Sequence, residues 1–510
     1  MLLNEFLQDS ANRFPEKEAL VFNEKRMTYA EIEIQSNKLA HGLIVRGIER
    51  GDRVAIYLDN SIESVISIFA ILKAGAVFLV INRSTKDQKL AFVLNNCRAR
   101  AIITDASAAE NLDLLKSQLP YMNFAVFTTE SQSAEFGIDN LLFHQIMESN
   151  KDSLPPVRGI DIDLAALIYT SGSTGNPKGV MMTHLNMVSA ATSITTYLEN
   201  ASNDIILNVL PLSFDYGLYQ VLMAAKMGAT VILEKSFAYP FVVIKKLISE
   251  KVTGFPIVPT ISAILLQLEA LTKYTFEHLR YISNTGAHLP TEHIRRLQAI
   301  FPGTRIYAMY GLTECKRVTY LPPDQLAIRP TSVGRGMPNE EIYLVNESNE
   351  RLGPDQEGEL VVRGSNVMQG YWEMPEATAA VLKPGKFPWE RVLYTGDIFK
   401  TDAEGYLYFI GRKDDIIKSR GEKVSPKEVE NIIYNLSGVA EVAVIGIKDE
   451  VLGEAIKAFV VPVSGAPITE KEIIQHCAGN LEDFMVPKIV EIRHSLPKTS
   501  TGKIRKTELT

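Results

Sequence analysis

Cysteine is nearly absent: Cys97, Cys315 and Cys477 are the three in 510 residues. They are far apart, odd in number and form no C-x-x-C pair, which excludes a disulfide framework and a structural zinc site. The eight histidines show no H-E-x-x-H spacing, so the zinc-protease arrangement is excluded as well. Positive charge is not in excess. A net charge of -7 argues against a general surface for nucleic acid or anionic membrane, and no basic stripe is interleaved with aromatics. Long apolar runs are missing too. The longest region, "SVISIFAILKAGAVFLVIN", is cut by Lys73 and Gly75 and reads as helix, turn and strand rather than a membrane span. The start, "MLLNEFLQDSANRFPEKEAL", lacks a basic segment leading into an apolar core, so no secretory leader is expected. These absences leave a cytoplasmic protein as the expectation.

What is present is an ordinary globular composition, 46% hydrophobic and 22% charged. At this length one hydrophobic core rarely suffices, so at least two domains are expected. Short β-branched runs alternate with helical patterns: "RVAIYL" precedes "SIESVISIFAILKAG", "AVFLVI" follows it, and "LAALIYT" comes later. That alternation implies an α/β fold with parallel sheets covered by helices. From about residue 340 short strands and turns suggest a small antiparallel barrel or sheet. A compact α+β pattern resumes after "GRKDDIIKSRGEKVSP". The expected division is a large domain over 1–411 and a small mobile one over 412–510.

The stretch "LIYTSGSTGNPKGVMMTH" (167–184) asks for a ligand. Glycines let backbone N–H groups approach an anion, hydroxyls add donors, and a lysine adds positive charge. Thr170, Ser171, Gly172, Ser173, Thr174, Gly175 and Lys178 supply all three, after a strand and before the helical pattern "THLNMVSAATSITTYL". The spacing is not that of a Walker A loop, because Pro177 precedes Lys178 and Gly179 follows it.

"YTSGSTGNPKGVMMTH" closely resembles the signature loop of the adenylate-forming superfamily, which includes acyl-CoA synthetases, luciferases and nonribosomal peptide adenylation domains. Members use ATP to form an acyl-adenylate and pyrophosphate, and the loop holds the β- and γ-phosphates. Five further motifs follow in the family's order over nearly the whole chain. "NTGAHLP" implies that Gly286, Ala287 and His288 lie along the adenine. "YGLTE" implies that Tyr310, followed by Gly311, stacks on the base, that Thr313 contacts the α-phosphate, and that Glu314 binds Mg²⁺. "YTGDIFK" puts Asp397 on the ribose. "GRKDDIIKSRGEKVSPKEVE" resembles the interdomain crossover, where Arg412 reaches the ribose and Asp414 is the hinge. "LPKTSTGKIRK" resembles the segment whose catalytic lysine, here Lys503, enters the site and meets the substrate carboxylate and α-phosphate. Without the resemblance these are a core tyrosine, surface charges, a turn, a charged linker and a basic tail.

The acid is read from "LPLSFDYGLYQVLMAAKMGATVIL". Asp215 sits in an apolar segment, and a buried carboxylate is costly unless paired, so it either caps the helix beginning at Tyr216 or faces a cation. In amino-acid-activating relatives an Asp here binds the α-ammonium group. "LPLSFDYGLYQ" with "EKSFAYP" is similar to stand-alone enzymes that load L-proline onto a peptidyl carrier protein for secondary metabolites. Tyr216, Tyr219 and Met309 would then close a small apolar pocket. Lys316 and Arg317 have no assigned place. No carrier module is expected within the chain, so a phosphopantetheine-bearing carrier protein would be a separate partner. The alternatives are an acyl-CoA synthetase for an acid without an amine, with coenzyme A as acceptor, and a non-catalytic ATP- or carrier-binding scaffold.

Overall fold

The computed structural model describes residues 1–129, 139–170, 177–413, 415–419, 422–449, 453–463, 468–499 and 504–509. The strands Arg53–Tyr57 and Val77–Val80 are runs of apolar residues with both faces buried. Such strands demand cover on both sides, and they pair in parallel. They form the middle of an eight-stranded sheet ordered Gly370–Tyr371, Lys178–Thr183, Leu164–Thr170, Val77–Val80, Arg53–Tyr57, Ala99–Thr104, Phe124–Phe127, Asp139–Leu142. A nine-stranded sheet has the parallel strands Arg305–Tyr310, Tyr281–Asn284, Gly254–Ile257, Ile205–Asn208, Thr230–Leu233 and Glu18–Phe22 at its centre. Helices Tyr29–Val45, Ile62–Lys73, His184–Tyr197 and Asp215–Met227 share one apolar core with both sheets.

The apolar run of residues 62–80 is helix, turn and strand, as its interruptions imply. Gly75, at φ 76°, makes the turn. Lys73 breaks the run only in sequence: its ammonium is buried, 2.7 Å from Glu33 Oε2, and donates to Ser36 and Asn37. A lysine inside a core is tolerable when its charge is paired in this way.

Strands Glu340–Val345, Glu357–Gly364, Arg391–Thr401 and Leu407–Arg412 belong to a third, antiparallel sheet. Arg412 is the last residue of strand Leu407–Arg412 and lies opposite Asp397. The small C-terminal domain has its own sheet, with Val439–Asp449 and Gly453–Pro462 at its heart. Helices Pro426–Tyr434 and Glu470–Ala478 close a separate core against it. Among the described residues no helix is long and apolar enough to cross a membrane.

Candidate active site

The residues expected to carry chemistry follow the C-terminal ends of parallel strands. Thr170 ends Leu164–Thr170, Phe214 and Asp215 follow Ile205–Asn208, Gly286 follows Tyr281–Asn284, and Tyr310 ends Arg305–Tyr310. Loops at this edge of a parallel sheet form the crevice in which such folds bind ligands.

The glycine-rich segment does not run from strand to helix. Thr170 pairs with Lys178 across antiparallel strands, and helix His184–Tyr197 begins only after Lys178–Thr183, capped by Thr183. Lys178 therefore opens a strand and does not stand at a helix N-terminus. Ser171, Gly172, Ser173, Thr174 and Gly175 lie outside the described residues, as do Asp414 and Lys503.

Tyr310 links two of the expected nucleotide contacts. Its hydroxyl donates to Asp397 Oδ2 at 2.5 Å, and its ring lies edge-on to Phe399 at 4.9 Å. Asp397 is buried within strand Arg391–Thr401 rather than at a turn, and its Oδ1 is 3.3 Å from Arg412 Nε. Gly286, in the left-handed region at φ 89°, turns the chain so that Ala287 and His288 line a cavity of ≈ 300 Å³ with Arg412, Lys427 and Glu430. Burial, reinforced by Lys427, pulls the His288 pKa down to about 3, and its enclosed Nε2 has no partner. A neutral ring with an unsatisfied nitrogen suits a polar, uncharged ligand edge such as a purine.

Thr313 and Glu314 follow Tyr310. Gly311 permits the tight turn, since a Cβ there would lie 2.9 Å from the Lys316 carbonyl oxygen and 3.0 Å from Arg317 Cα. The Tyr371 hydroxyl donates to Glu314 Oε1 at 2.8 Å, and the Lys178 ammonium lies 5.2 Å from the same ring's centre. No group of three or more potential metal ligands exists among the described residues. Magnesium fits this donor set in its usual manner, one carboxylate from protein and the remainder from nucleotide phosphate and water. Tyr371 was not legible as part of the site: "GYW" reads as strand.

A second cavity, ≈ 200 Å³, is lined by Thr170, Pro177, Ser213, Phe214, Asp215 and Thr313. Thr499 and Arg505, on either side of the segment that holds Lys503, also reach it. Asp215 is the first residue of helix Asp215–Met227, one past the N-cap position held by Phe214, and is buried. It faces a cation instead. That cation is Lys316, whose Nζ is 3.2 Å from Asp215 Oδ2. Burial lowers the pKa of the Lys316 ammonium while Asp215 opposes the shift.

Tyr216, Tyr219 and Met309 are all buried, and none of the three lines this cavity or the larger one. The Tyr216 hydroxyl donates to Ser283 O at 2.7 Å. Met309 Sδ accepts from Arg317 Nη1 at 2.9 Å and from the Tyr197 hydroxyl at 3.1 Å. Arg317 is 1% exposed, with its guanidinium 4.8 Å from the centre of the Tyr216 ring. Charged residues beside an apolar string were the one sequence signal for Lys316 and Arg317. Their direction was not readable, because it depends on the left-handed backbone of Lys316, φ 65°.

A tyrosine–carboxylate–guanidinium cluster, and a cavity that joins a buried carboxylate to Thr170 at the start of the hydroxyl-rich segment, are the parts of an adenylate-forming enzyme. The family AMP-binding enzyme matches residues 7–372, and AMP-binding enzyme C-terminal domain matches residues 428–503. The long-chain-fatty-acid–CoA ligase of Bacillus subtilis (strain 168) is 33% identical, covering 99% of this chain and 94% of that protein. The anthranilate CoA ligase AuaEII, solved with anthranoyl-AMP, superposes with a TM-score of 0.91 at 26% identity, over 100% of this chain and 96% of that one. ATP-bound MatB from Rhodopseudomonas palustris gives 0.89 at 28% identity, over 100% and 98%. The chain belongs to the AMP-binding enzyme family. It is an AMP-forming acid–thiol ligase: ATP, with Mg²⁺, activates a carboxylic acid as its adenylate, and a thiol then takes the acyl group.

Proposed function

We propose that the acid is small and that the acceptor is the pantetheine thiol of coenzyme A. The observation that supports the size limit is the cavity that Asp215 lines, which is ≈ 200 Å³, while its neighbours Tyr216, Tyr219, Met309 and Arg317 are buried and line neither it nor the larger cavity. Coenzyme A as acceptor is supported by the ligases this chain resembles.

The residues divide the work as follows. The segment from Thr170 through Ser171, Gly172, Ser173, Thr174 and Gly175 to Lys178 holds the β- and γ-phosphates. Gly286, Ala287, His288 and Tyr310 hold the adenine, while Asp397 and Arg412 hold the ribose. Thr313 orients the α-phosphate and Glu314 carries Mg²⁺. Lys503 balances charge as carboxylate and phosphate meet, a contribution whose loss costs about 10²–10³ in rate. Positioning and electrostatic stabilisation are the protein's main levers in transfer at phosphorus. The small domain, residues 412–510, turns about Asp414 between the adenylating and thiol-transferring steps. A cytoplasmic site of action belongs to the same reading, since Cys97, Cys315 and Cys477 are unpaired.

A second reading, L-proline loaded onto a separate carrier protein, is favoured by one observation: Asp215 lines the same cavity as Thr170 and Thr313. Pyrophosphate exchange against a panel of acids, followed by product analysis with coenzyme A and with a phosphopantetheinylated carrier, tests both. Exchange confined to long-chain fatty acids contradicts the size limit. Transfer only to the carrier contradicts the acceptor.

A further inference from the structure

We infer that Lys316 sets the substrate class, on the reading that this site activates a small carboxylic acid. It supplies, from within the chain, the cation that Asp215 would otherwise take from the substrate, so the site selects acids without a charged amine.

The contact is built rather than incidental. Lys316 Nζ is 3.2 Å from Asp215 Oδ2, and the two side chains are 2% and 8% exposed. The ammonium lies 4.5 Å from the centre of the Tyr219 ring and 5.7 Å from that of Tyr216, so two aromatic residues flank it beside the carboxylate. The backbone is bent to deliver it. Lys316 occupies the left-handed region, which a side-chain-bearing residue adopts only when its surroundings hold it there. Glycine at position 311 keeps that turn open, as a Cβ would press on the Lys316 carbonyl.

Charge counting gives the selectivity its direction. Asp215 lines the cavity, and beside it are two adjacent buried cations, Lys316 and Arg317, of which Lys316 is the one at ion-pair distance from it among the described residues. Arg317 has no carboxylate at ion-pair distance among the described residues, and its Nε lacks a partner. A substrate ammonium at Asp215 would be the third cation around a single buried carboxylate, an arrangement that desolvation strongly disfavours. An alkyl, aryl or hydroxyl-bearing acid adds no charge. Removing the lysine reverses the balance, because Asp215 then faces the ≈ 200 Å³ cavity it lines with no cation of its own.

The test is acid-dependent ATP–pyrophosphate exchange by the full-length protein, with cyclopentanecarboxylate and L-proline as a pair matched in shape. The wild type is expected to favour cyclopentanecarboxylate by on the order of tenfold or more, the coupling typical of contacting buried groups. Lys316→Met is expected to invert that ratio. The double variant Asp215→Asn/Lys316→Met removes both charges of the pair together, so neither is left buried without the other, and is expected to bring the ratio near one. A wild-type preference for L-proline, or a double variant that keeps the wild-type ratio, overturns the inference and leaves the ligase reading intact. Absence of exchange with any acid of a broad panel overturns both.

Discussion

The Tyr371 hydroxyl donates to Glu314 Oε1 at 2.8 Å, beneath the ammonium of Lys178. One side chain thus ties the carboxylate expected to carry Mg²⁺ to the lysine of the phosphate segment. Tyr371→Phe removes that tether and is expected to slow exchange about 5- to 10-fold, the worth of a net hydrogen bond. Glu314→Gln removes the charge itself and is expected to cost about 10²–10³. A titration of exchange rate against Mg²⁺ separates them, since only the second change should raise the Mg²⁺ requirement steeply.

Asp397 stands between the Tyr310 hydroxyl and the Arg412 guanidinium. If it accepts from the ribose, Asp397→Ala should raise KM for ATP roughly 10- to 100-fold, the range for hydrogen bonds to a charged group. The discriminating measurement uses 2′-deoxy-ATP. The wild type should lose affinity with that analogue, whereas the variant should barely tell the two nucleotides apart.

Helix Asp215–Met227 is held close to the preceding turn by Gly217, where a Cβ would lie 2.4 Å from Pro211 O and 2.7 Å from Leu210 O. Both neighbours are backbone and cannot swing away. Gly217→Ala improves helix propensity by up to about 1 kcal/mol, but overpacking of this kind costs about 1–3 kcal/mol. The expected outcome is a lowered melting temperature together with weaker acid binding, because Asp215 and Tyr219 ride on the same helix.

Burial holds three histidines well below the ordinary value: His184 at about 4, His293 at about 4 and His288 at about 3. His184 Nδ1 accepts the Leu3 amide at 2.9 Å and must lose that bond on protonation. In the window from about 6.5 down to these values the unfolded chain binds more protons. Stability therefore falls as pH drops through it, for each group by up to about 1.4 kcal/mol per pH unit. Glu340, whose carboxyl burial pushes well upward, acts in the opposite sense. His184→Asn isolates one contribution, and its melting temperature should fall less than the wild type's between pH 7 and pH 5.

Much of the fold was legible because its signals are local. The residue 62–80 run announced helix, turn and strand through Lys73 and Gly75, and the strand preceding Thr170 through its β-branched pattern. What sequence concealed was pairing at a distance. Lys73 could not be seen to meet Glu33, nor Asp215 to meet Lys316, 101 residues further on. The strand at Lys178 was read as part of a strand-to-helix loop because "KGVMMT" is too short to declare itself before the helical pattern takes over. Asp397 looked like a turn residue beside Gly396, yet that glycine, at φ 71°, only bends a long strand.

The most direct measurement is the identity of the nucleotide released when the protein is given MgATP, a small acid lacking an amine, and coenzyme A. AMP and pyrophosphate in equal amounts, matched by acyl thioester, are expected. ADP with orthophosphate, or pyrophosphate release indifferent to the acid, would contradict the account.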